Sequence, residues 1–324
     1  MAKAIRIYAT GGPEVFKYED IEVGDPGPGQ IKIRQTACGI NFIDVYLRTG
    51  LYPLDAFPEI IGMEGAGKVV AVGEGVTSVK VGDRVAYPMV KGGYTEERLI
   101  PDWKVAKLPD SISDETAAGM MLKGMTAHYL LHRTYPVKKG DPILVYAAAG
   151  GVGQILCQWG KALGAVVIGC VGSDEKAEIA KAAGAHHTIN YSKEDIAKKA
   201  KELTGGDGVA VAYDSVGKAT FMASLDSLRP FGTMVTYGNA SGPVDPVSPN
   251  ILGPKGSLYL TRPTLATHTR NPQIMAEGAK ALIDVVANGT VKIHVNQTYA
   301  LKDVAQAHKD LEARKTTGSS VLIP

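Results

Sequence analysis

The sequence predicts an α/β chain in which a doubly wound parallel sheet is joined to a β-rich, barrel-like domain. Three observations carry that expectation. Apolar strands alternate with helical stretches from about residue 140 to 265. Before about residue 124, short strands are broken by Gly, Pro and Asp. At residues 144–165, "LVYAAAGGVGQILCQWGKALGA", an apolar run breaks at glycines and resumes with helical spacing. Alternating strands and helices bury both faces of a parallel sheet, whereas turn-punctuated strands favour antiparallel ones.

Size and composition narrow the function classes. A chain of 324 residues has room for two ordinary domains. At 45% hydrophobic and 21% charged it matches average soluble proteins. A net charge of +2 supplies no electrostatic footprint for nucleic acid or an anionic membrane, so neither is an expected partner. No apolar stretch reaches the roughly 18 residues a membrane helix needs. The opening "MAKAIRIYATGGPE" reads as a first strand rather than a signal peptide. Cys38, Cys157 and Cys170 are too far apart for CxxC and build no disulfide framework, so a reduced, cytoplasmic setting is expected.

The elements follow in order. "IKIRQTAC", "GKVVAVG" and "DRVAYP" read as strands, with "EVGDPGPGQ" and "VGEGVTSVKVGD" as turns. "SDETAAGMMLKGMTAHYLLHRTY" is helical and opens at Ser113. Strands then read "DPILVYAA", "AVVIGCV", "HHTINY", "GVAVAYDSV", "GTMVTYG" and "GSLYLTRP". The helical stretches "SDEKAEIAKAAGA" and "SKEDIAKKAKELTGG" each begin with a Ser cap and end at Gly. After residue 265 come a helix, a strand, a second helix and the closing strand "SSVLIP". That tail breaks the strand–helix rhythm and is assigned to the first domain. The expected domains are thus 1–124 with 266–324, and 125–265.

The glycine turn points to a dinucleotide. Gly150 and Gly153 stand where backbone must approach a pyrophosphate and where helix must pack on strand, with Gly151 and Val152 between them; Ala148 replaces the first glycine. A rival, "GMEGAGKV" at 62–69, has P-loop spacing. Val69 replaces its Mg²⁺-binding hydroxyl and a strand follows instead of a helix, so it is set aside. The second strand ends at Gly172-Ser173 without the leading acid that binds an NAD ribose. Lys176, with Ser173 and Tyr191, suits a 2′-phosphate, so NADPH is the expected cofactor.

No hydrolase or metalloprotease motif competes. GxSxG is absent, and Tyr129 between His128 and His132 occupies the place of the Glu in HExxH. Surface or capping roles are expected for those histidines. His186 and His187 are expected on one strand, facing opposite ways.

Taken together, the β-rich first domain, "AAAGGVG" and the returning tail resemble the medium-chain dehydrogenase/reductase superfamily over the whole chain. "GINFIDVYLRTGLYP", "GMEGAG", "LKGMTAHYLL", "AYDSVG", "GSLYLTRP" and "TTGSSVLIP" are similar to its zeta-crystallin branch, whose members are NADPH:quinone oxidoreductases. The resemblance implies a GroES-like barrel as catalytic domain beside a Rossmann NADPH-binding domain, and a small quinone as substrate. Zinc members carry a Cys in the segment of "ACGINFID", a His before Glu64, and a second Cys near "MLKGM". Here Cys38 remains, Met63 replaces the His, and the second Cys is absent, so no zinc is expected.

The resemblance also implies site residues. Asn41 and Tyr46 lie beside the nicotinamide and Tyr52 lines the acceptor pocket. Thr126, Ser215, Tyr237, Gly238, Asn239, Arg262 and, from the tail, Arg314 join the cofactor. A homodimer is expected through the strand at 256–263, an edge of the sheet whose unpaired groups a second copy would satisfy. Two alternatives stand beside quinone reduction: an NADPH-dependent enal or enone double-bond reductase, and a crystallin-like protein that binds NADPH or RNA.

Overall fold

The β-branched runs cut by Gly, Pro and Asp form eight strands in the N-terminal third. These are β1 (Ala2–Ile7), β2 (Lys17–Ile21), β3 (Gln30–Ile40), β4 (Glu59–Ile60), β5 (Glu64–Val72), β6 (Arg84–Pro88), β7 (Glu97–Pro101) and β8 (Ala106–Lys107). Helix α1 (Phe42–Thr49) leaves β3 directly, with extended Asn41 as its N-cap and Gly50 at φ 81° as its stop. Only glycine takes that left-handed stop without strain. Helix α2 (Asp114–Tyr129) opens where Ser113 Oγ accepts the Thr116 N–H at 3.2 Å.

Strands and helices then alternate: β9 (Pro142–Val145), α3 (Gly151–Ala162), β10 (Val166–Val171), α4 (Asp174–Ala182), β11 (His187–Asn190), α5 (Ile196–Leu203), β12 (Val209–Asp214), α6 (Phe221–Asp226), β13 (Leu228–Thr236) and β14 (Tyr259–Thr261). All six strands are parallel, in the order β11-β10-β9-β12-β13-β14. The order reverses at β9, whose carboxyl end opens the glycine turn; such a switch point is where ligands bind in open sheets. Every residue of β12 is buried, as a strand covered on both faces requires.

The chain closes with α7 (Pro272–Ala287), β15 (Val295–Ala300), α8 (Val304–Glu312) and β16 (Ser319–Ile323). The tail strands extend the N-terminal sheet as β15-β16-β3-β5-β6-β8, with β7 also on β3 and β1, β2 and β4 in a separate small sheet. Ile31, Ile33, Val69, Val85, Tyr87 and Ile100 form one core there. The computed structural model describes all 324 residues and divides into two units. The first holds residues 1–125, 268–289 and 293–324; the second holds 126–267 and 290–292. No helix is long and apolar enough to cross a membrane.

Three local expectations change. Helix α5 is capped by Asp195, whose side chain accepts the Lys198 N–H at 2.8 Å, not by Ser192. Ser192 Oγ instead donates to the Gly172 carbonyl at 2.9 Å. His186 precedes β11 and its Nδ1 accepts the Val167 N–H at 3.0 Å, so it ties two strands rather than standing on one. The segment 256–263 is strand only over Tyr259–Thr261, because Gly256 and Ser257 both take positive φ. Its apolar residues do not alternate inward as a pair. Leu258 is buried, but Leu260 is 41% exposed and Tyr259 62% exposed on this sheet-edge strand.

Candidate active site

In the second unit, the glycine turn has the geometry an anion site needs. Gly150 is the N-cap of α3 with no side chain over the first N–H groups, which leaves them available with the positive end of the helix dipole. A Cβ on Gly153 would sit 2.2 Å from the Ala147 carbonyl oxygen, so only glycine lets α3 lie this close to the β9 turn. The left-handed residue is Ala147 at φ 49°, one position before the alanine that replaces the first glycine of the motif. A non-glycine residue held there is strained, and such strain gathers at functional turns.

At the tip of β10 the structure brings Gly172, Ser173, Lys176 and Tyr191 together. The Tyr191 hydroxyl lies 2.6 Å from where a Gly172 Cβ would stand. Ser173 caps α4 by accepting the Lys176 N–H at 3.3 Å. The first acid of α4 is occupied: Asp174 accepts from Asn190 Nδ2 at 2.7 Å and pairs with Lys193 at 2.5 Å. Lys193 and Asn190 hold the Asp174 carboxyl below its usual range. Lys193 escaped sequence reasoning, because its link to the tip crosses from β11 and is not a helix spacing.

A second cluster in this unit gathers Ser215, Tyr237, Gly238, Asn239 and Arg262. A Gly238 Cβ would sit 2.3 Å from the Ser215 carbonyl oxygen. Arg262 Nη1 donates to the Thr236 carbonyl at 3.1 Å, and Asn239 in its satisfied amide orientation accepts from Arg262 Nη2 at 3.2 Å. Thr126 is buried in α2. The rings of His128, tilted, and His132, edge-on, pack against Trp159 at 5.7 and 5.2 Å, so packing on an indole replaces the expected surface or capping role.

In the first unit, α1 carries Asn41 and Tyr46, and both are buried. The Tyr46 ring meets Tyr52 edge-on at 5.2 Å and Phe42 at 6.3 Å, one helical turn away. Beneath them lies Glu64, fully buried at the start of β5. Its Oε1 accepts the Leu122 N–H at 2.7 Å, and its Oε2 accepts from Asn41 Nδ2 at 2.8 Å and from Lys123 Nζ at 3.2 Å. Gly39 makes the room: a Cβ there would stand 2.4 Å from Glu64 Oε2.

A second chain of polar groups supports α1 from the other side. Asp44 accepts the Asn41 N–H at 2.8 Å and the Tyr94 O–H at 2.8 Å through Oδ2. Tyr94 in turn lies 3.1 Å from His308 Nε2, and His308 Nδ1 lies 3.2 Å from Arg48 Nη1. Arg48 grips Glu312 with both Nη atoms at 2.9 and 2.8 Å, which fixes α8 two residues before exposed Arg314. Burial, reinforced by the Arg48 guanidinium, pushes His308 down to about 3, so the ring is neutral and accepts from Arg48. Burial pushes Asp44 up to about 7 against the hydrogen bonds from Tyr94 and Asn41.

These donors do not fit zinc. The Cys38 thiol is buried, pushed up to about 12 by desolvation, and its Sγ faces the Thr95 carbonyl at 3.9 Å. Met63 offers only a thioether, both Glu64 oxygens are taken, and no group of three His, Cys, Asp or Glu side chains could hold a metal. Sequence reasoning missed Lys123, Asp44, Arg48, Tyr94 and His308, and weighed Glu64 only as a ligand. A signal was present: Lys123 is a lone charge in "AAGMMLKGMTA" and Glu64 a lone charge in "GMEGAG". Two isolated opposite charges in apolar or glycine-rich runs invite pairing.

Comparison with known proteins agrees with this geometry. The "Alcohol dehydrogenase GroES-like domain" family matches residues 27–139 and the "Zinc-binding dehydrogenase" family matches residues 151–277. The chain is 50% identical to a quinone oxidoreductase of Pseudomonas aeruginosa, with all of both chains covered. This chain belongs to the medium-chain dehydrogenase/reductase family, in its quinone oxidoreductase branch. Another member, a 2-haloacrylate reductase of a Burkholderia species, is 48% identical over all of this chain and 99% of its own. Among solved structures, the quinone oxidoreductase of Escherichia coli complexed with NADPH superposes at a TM-score of 0.98, with 47% identity and full coverage of both chains. The match to a family described as zinc-binding thus meets a donor set in this member that does not suit the ion.

The Asp44 carboxyl has a measurable signature. Because its folded value lies near 7 and its ordinary value near 3.8, the folded chain holds a proton that the unfolded chain releases between those limits. Stability from this group is present below that window and falls as pH rises through it. His308, depressed from 6.5 to about 3, contributes the opposite slope. Asp44→Asn keeps an acceptor for Asn41 and Tyr94 and removes only the former slope. Urea unfolding of both proteins at a series of pH values is expected to show the variant gaining on the wild type as pH rises from about 4 to about 7, by on the order of 1–4 kcal/mol in all, with no further gain above that. Parallel curves would show that Asp44 does not titrate in this range.

Proposed function

We propose that this chain reduces a small quinone with NADPH, without zinc. The observation that carries the reading is the glycine turn at the sheet's switch point joined to a β10 tip whose leading acid, Asp174, is paired with Lys193, and with Lys176 and Tyr191 beside it. The full-length relatives named quinone oxidoreductases support the acceptor. The N–H groups of Gly150, Gly151, Val152 and Gly153 would hold the pyrophosphate. Gly172, Ser173, Lys176 and Tyr191 would receive the 2′-phosphate. Thr126, Ser215, Tyr237, Gly238, Asn239 and Arg262 would line the remainder, with Arg314 added from the tail.

NADPH, when bound, supplies the hydride. The chain's own residues supply position, polarity and exclusion of water. Asn41, held through Glu64 and Asp44, would orient the reacting end, and Tyr46 and Tyr52, packed edge-on against each other, would flank a flat acceptor. A quinone delocalises its developing oxyanion into the ring and needs no strong Lewis acid. Three free, buried thiols suit a reducing compartment, and we assign the protein to the cytoplasm. A second reading, reduction of an activated alkene, is favoured by the 2-haloacrylate reductase relative.

Oxidation of NADPH over a panel of benzoquinones and enones, with and without a chelator, tests the proposal. Turnover with quinones that a chelator leaves unchanged is expected. Turnover only with enones selects the second reading, and cofactor binding without turnover selects a binding protein. Lys176→Ala is expected to weaken NADPH binding by roughly 1–3 kcal/mol, as a lost charge-assisted hydrogen bond would, and to leave NADH nearly unchanged. Equal losses for the two cofactors would remove Lys176 from the phosphate site.

We also propose a homodimer through the edge strand β14. Its unpaired backbone groups, with Tyr259 and Leu260 exposed beside Phe231 at 70%, suit pairing with a second copy across a two-fold axis. Sedimentation at micromolar concentration is expected to give a dimer, and Tyr259→Pro to dissociate it by removing a ladder donor. A species of 34.2 kDa in the wild type would end this proposal.

A further inference from the structure

The buried Lys123–Glu64 pair has no role in the family features already described, yet it touches the residue placed at the reacting end. Lys123 is 8% exposed at its side chain and Glu64 is 0% exposed. A lone ion at either depth is strongly disfavoured, and an ion pair of this kind is seldom worth its desolvation as a source of stability. A pair of apolar side chains would serve a core better. Its geometry serves something else: Glu64 Oε2 receives both Lys123 Nζ and Asn41 Nδ2, while Oε1 receives the Leu122 N–H. The backbone is shaped to admit this carboxylate, since a Cβ on Gly39 would meet Glu64 Oε2 at 2.4 Å and the Ala118 carbonyl at 2.2 Å.

We propose that Lys123 is a positioning residue that acts through Glu64 to fix the sense of the Asn41 amide. An ionised carboxylate is an acceptor only, whereas a protonated one offers an O–H donor as well. The ammonium of Lys123 stabilises the acceptor-only form, and that form admits the Nδ2 end of Asn41 and refuses the Oδ1 end. Asn41 is thereby locked with its carbonyl oxygen turned away from Glu64. That oxygen already accepts the Asp44 N–H as the helix cap, and a ligand atom that meets its second lone pair must be an N–H or O–H donor, such as the carboxamide of a nicotinamide or a ribose hydroxyl. No other cation lies within hydrogen-bond reach of Glu64; Tyr87 and Asp44 are further ionisable neighbours, and Asp44 Oδ2 accepts the Asn41 backbone N–H. The inference rests on the proposal that Asn41 stands at the reacting end.

A double-mutant cycle decides it, because residues that act through one another are non-additive and independent ones add. Lys123→Met and Asn41→Ser (which keeps a helix cap and loses the amide) are made singly and together. Each is measured for kcat/KM with a benzoquinone and for NADPH affinity by fluorescence quenching. Lys123→Met is expected to cost roughly tenfold in the Asn41 background and under about twofold in the Ser background, for at least one of the two quantities. Equal losses in both backgrounds, or none in either, would overturn the role. If Lys123→Met does not fold, Lys123→Gln with Glu64→Gln, which leaves no lone buried ion, takes its place in the cycle with the same expected non-additivity. A wild type that binds NADPH but does not reduce quinones would end the functional reading, and the affinity cycle would still decide the role of Lys123.

Discussion

A carboxylate with no exposure to water is the constraint on which the polar interior of the first unit depends. Glu64 sits where β5 begins, and stripped of partners it would cost several kcal/mol in desolvation. Each of its neighbours can be read as meeting that demand. The backbone of Leu122 and the ammonium of Lys123 bring in α2, the amide of Asn41 brings in α1, and Gly39 lets β3 pass close by. Strand, helix and helix start are thereby fixed at one point. The residue that caps α1 is also the residue whose amide donates to Glu64.

The same economy appears on the far side of α1. Asp44, Tyr94, His308, Arg48 and Glu312 form an unbroken file of hydrogen bonds that ties α1 to the C-terminal helix α8. The polarity along the file is consistent throughout: the neutral imidazole accepts from Arg48 and donates to Tyr94, which donates to Asp44. The bidentate Arg48–Glu312 contact, with the guanidinium 1% exposed, is the kind of planar pairing that arginine makes and lysine cannot. The tail returns to the first unit for a polar reason as well as for the strand pairing of β16 on β3.

At the glycine turn the backbone sets the approach. Parallel strands buried on both faces set β9 at the reversal of strand order, and Gly153 allows α3 to approach within the reach of a carbonyl. The charge at the β10 tip is decided by a pairing across the sheet, where Lys193 from beyond β11 neutralises Asp174.

The sequence by itself determined the two architectures and the position of the glycine turn. Each of these rests on local information: apolar periodicity, glycine spacing, and which side chains occupy short segments. Helix ends were less legible, as at α5, where Asp195 outcompetes Ser192 for the cap because Ser192 finds a carbonyl on another strand. So was the strand at 256–263, shortened by positive φ at Gly256 and Ser257. Only the tertiary structure decided the polar interior. Glu64 and Lys123 are 59 residues apart, and Arg48 and Glu312 are 264 apart. Spacing along a helix or strand carries no information across such distances. Those groups meet because the sheet and the returning tail bring them together, and once buried they must be paired.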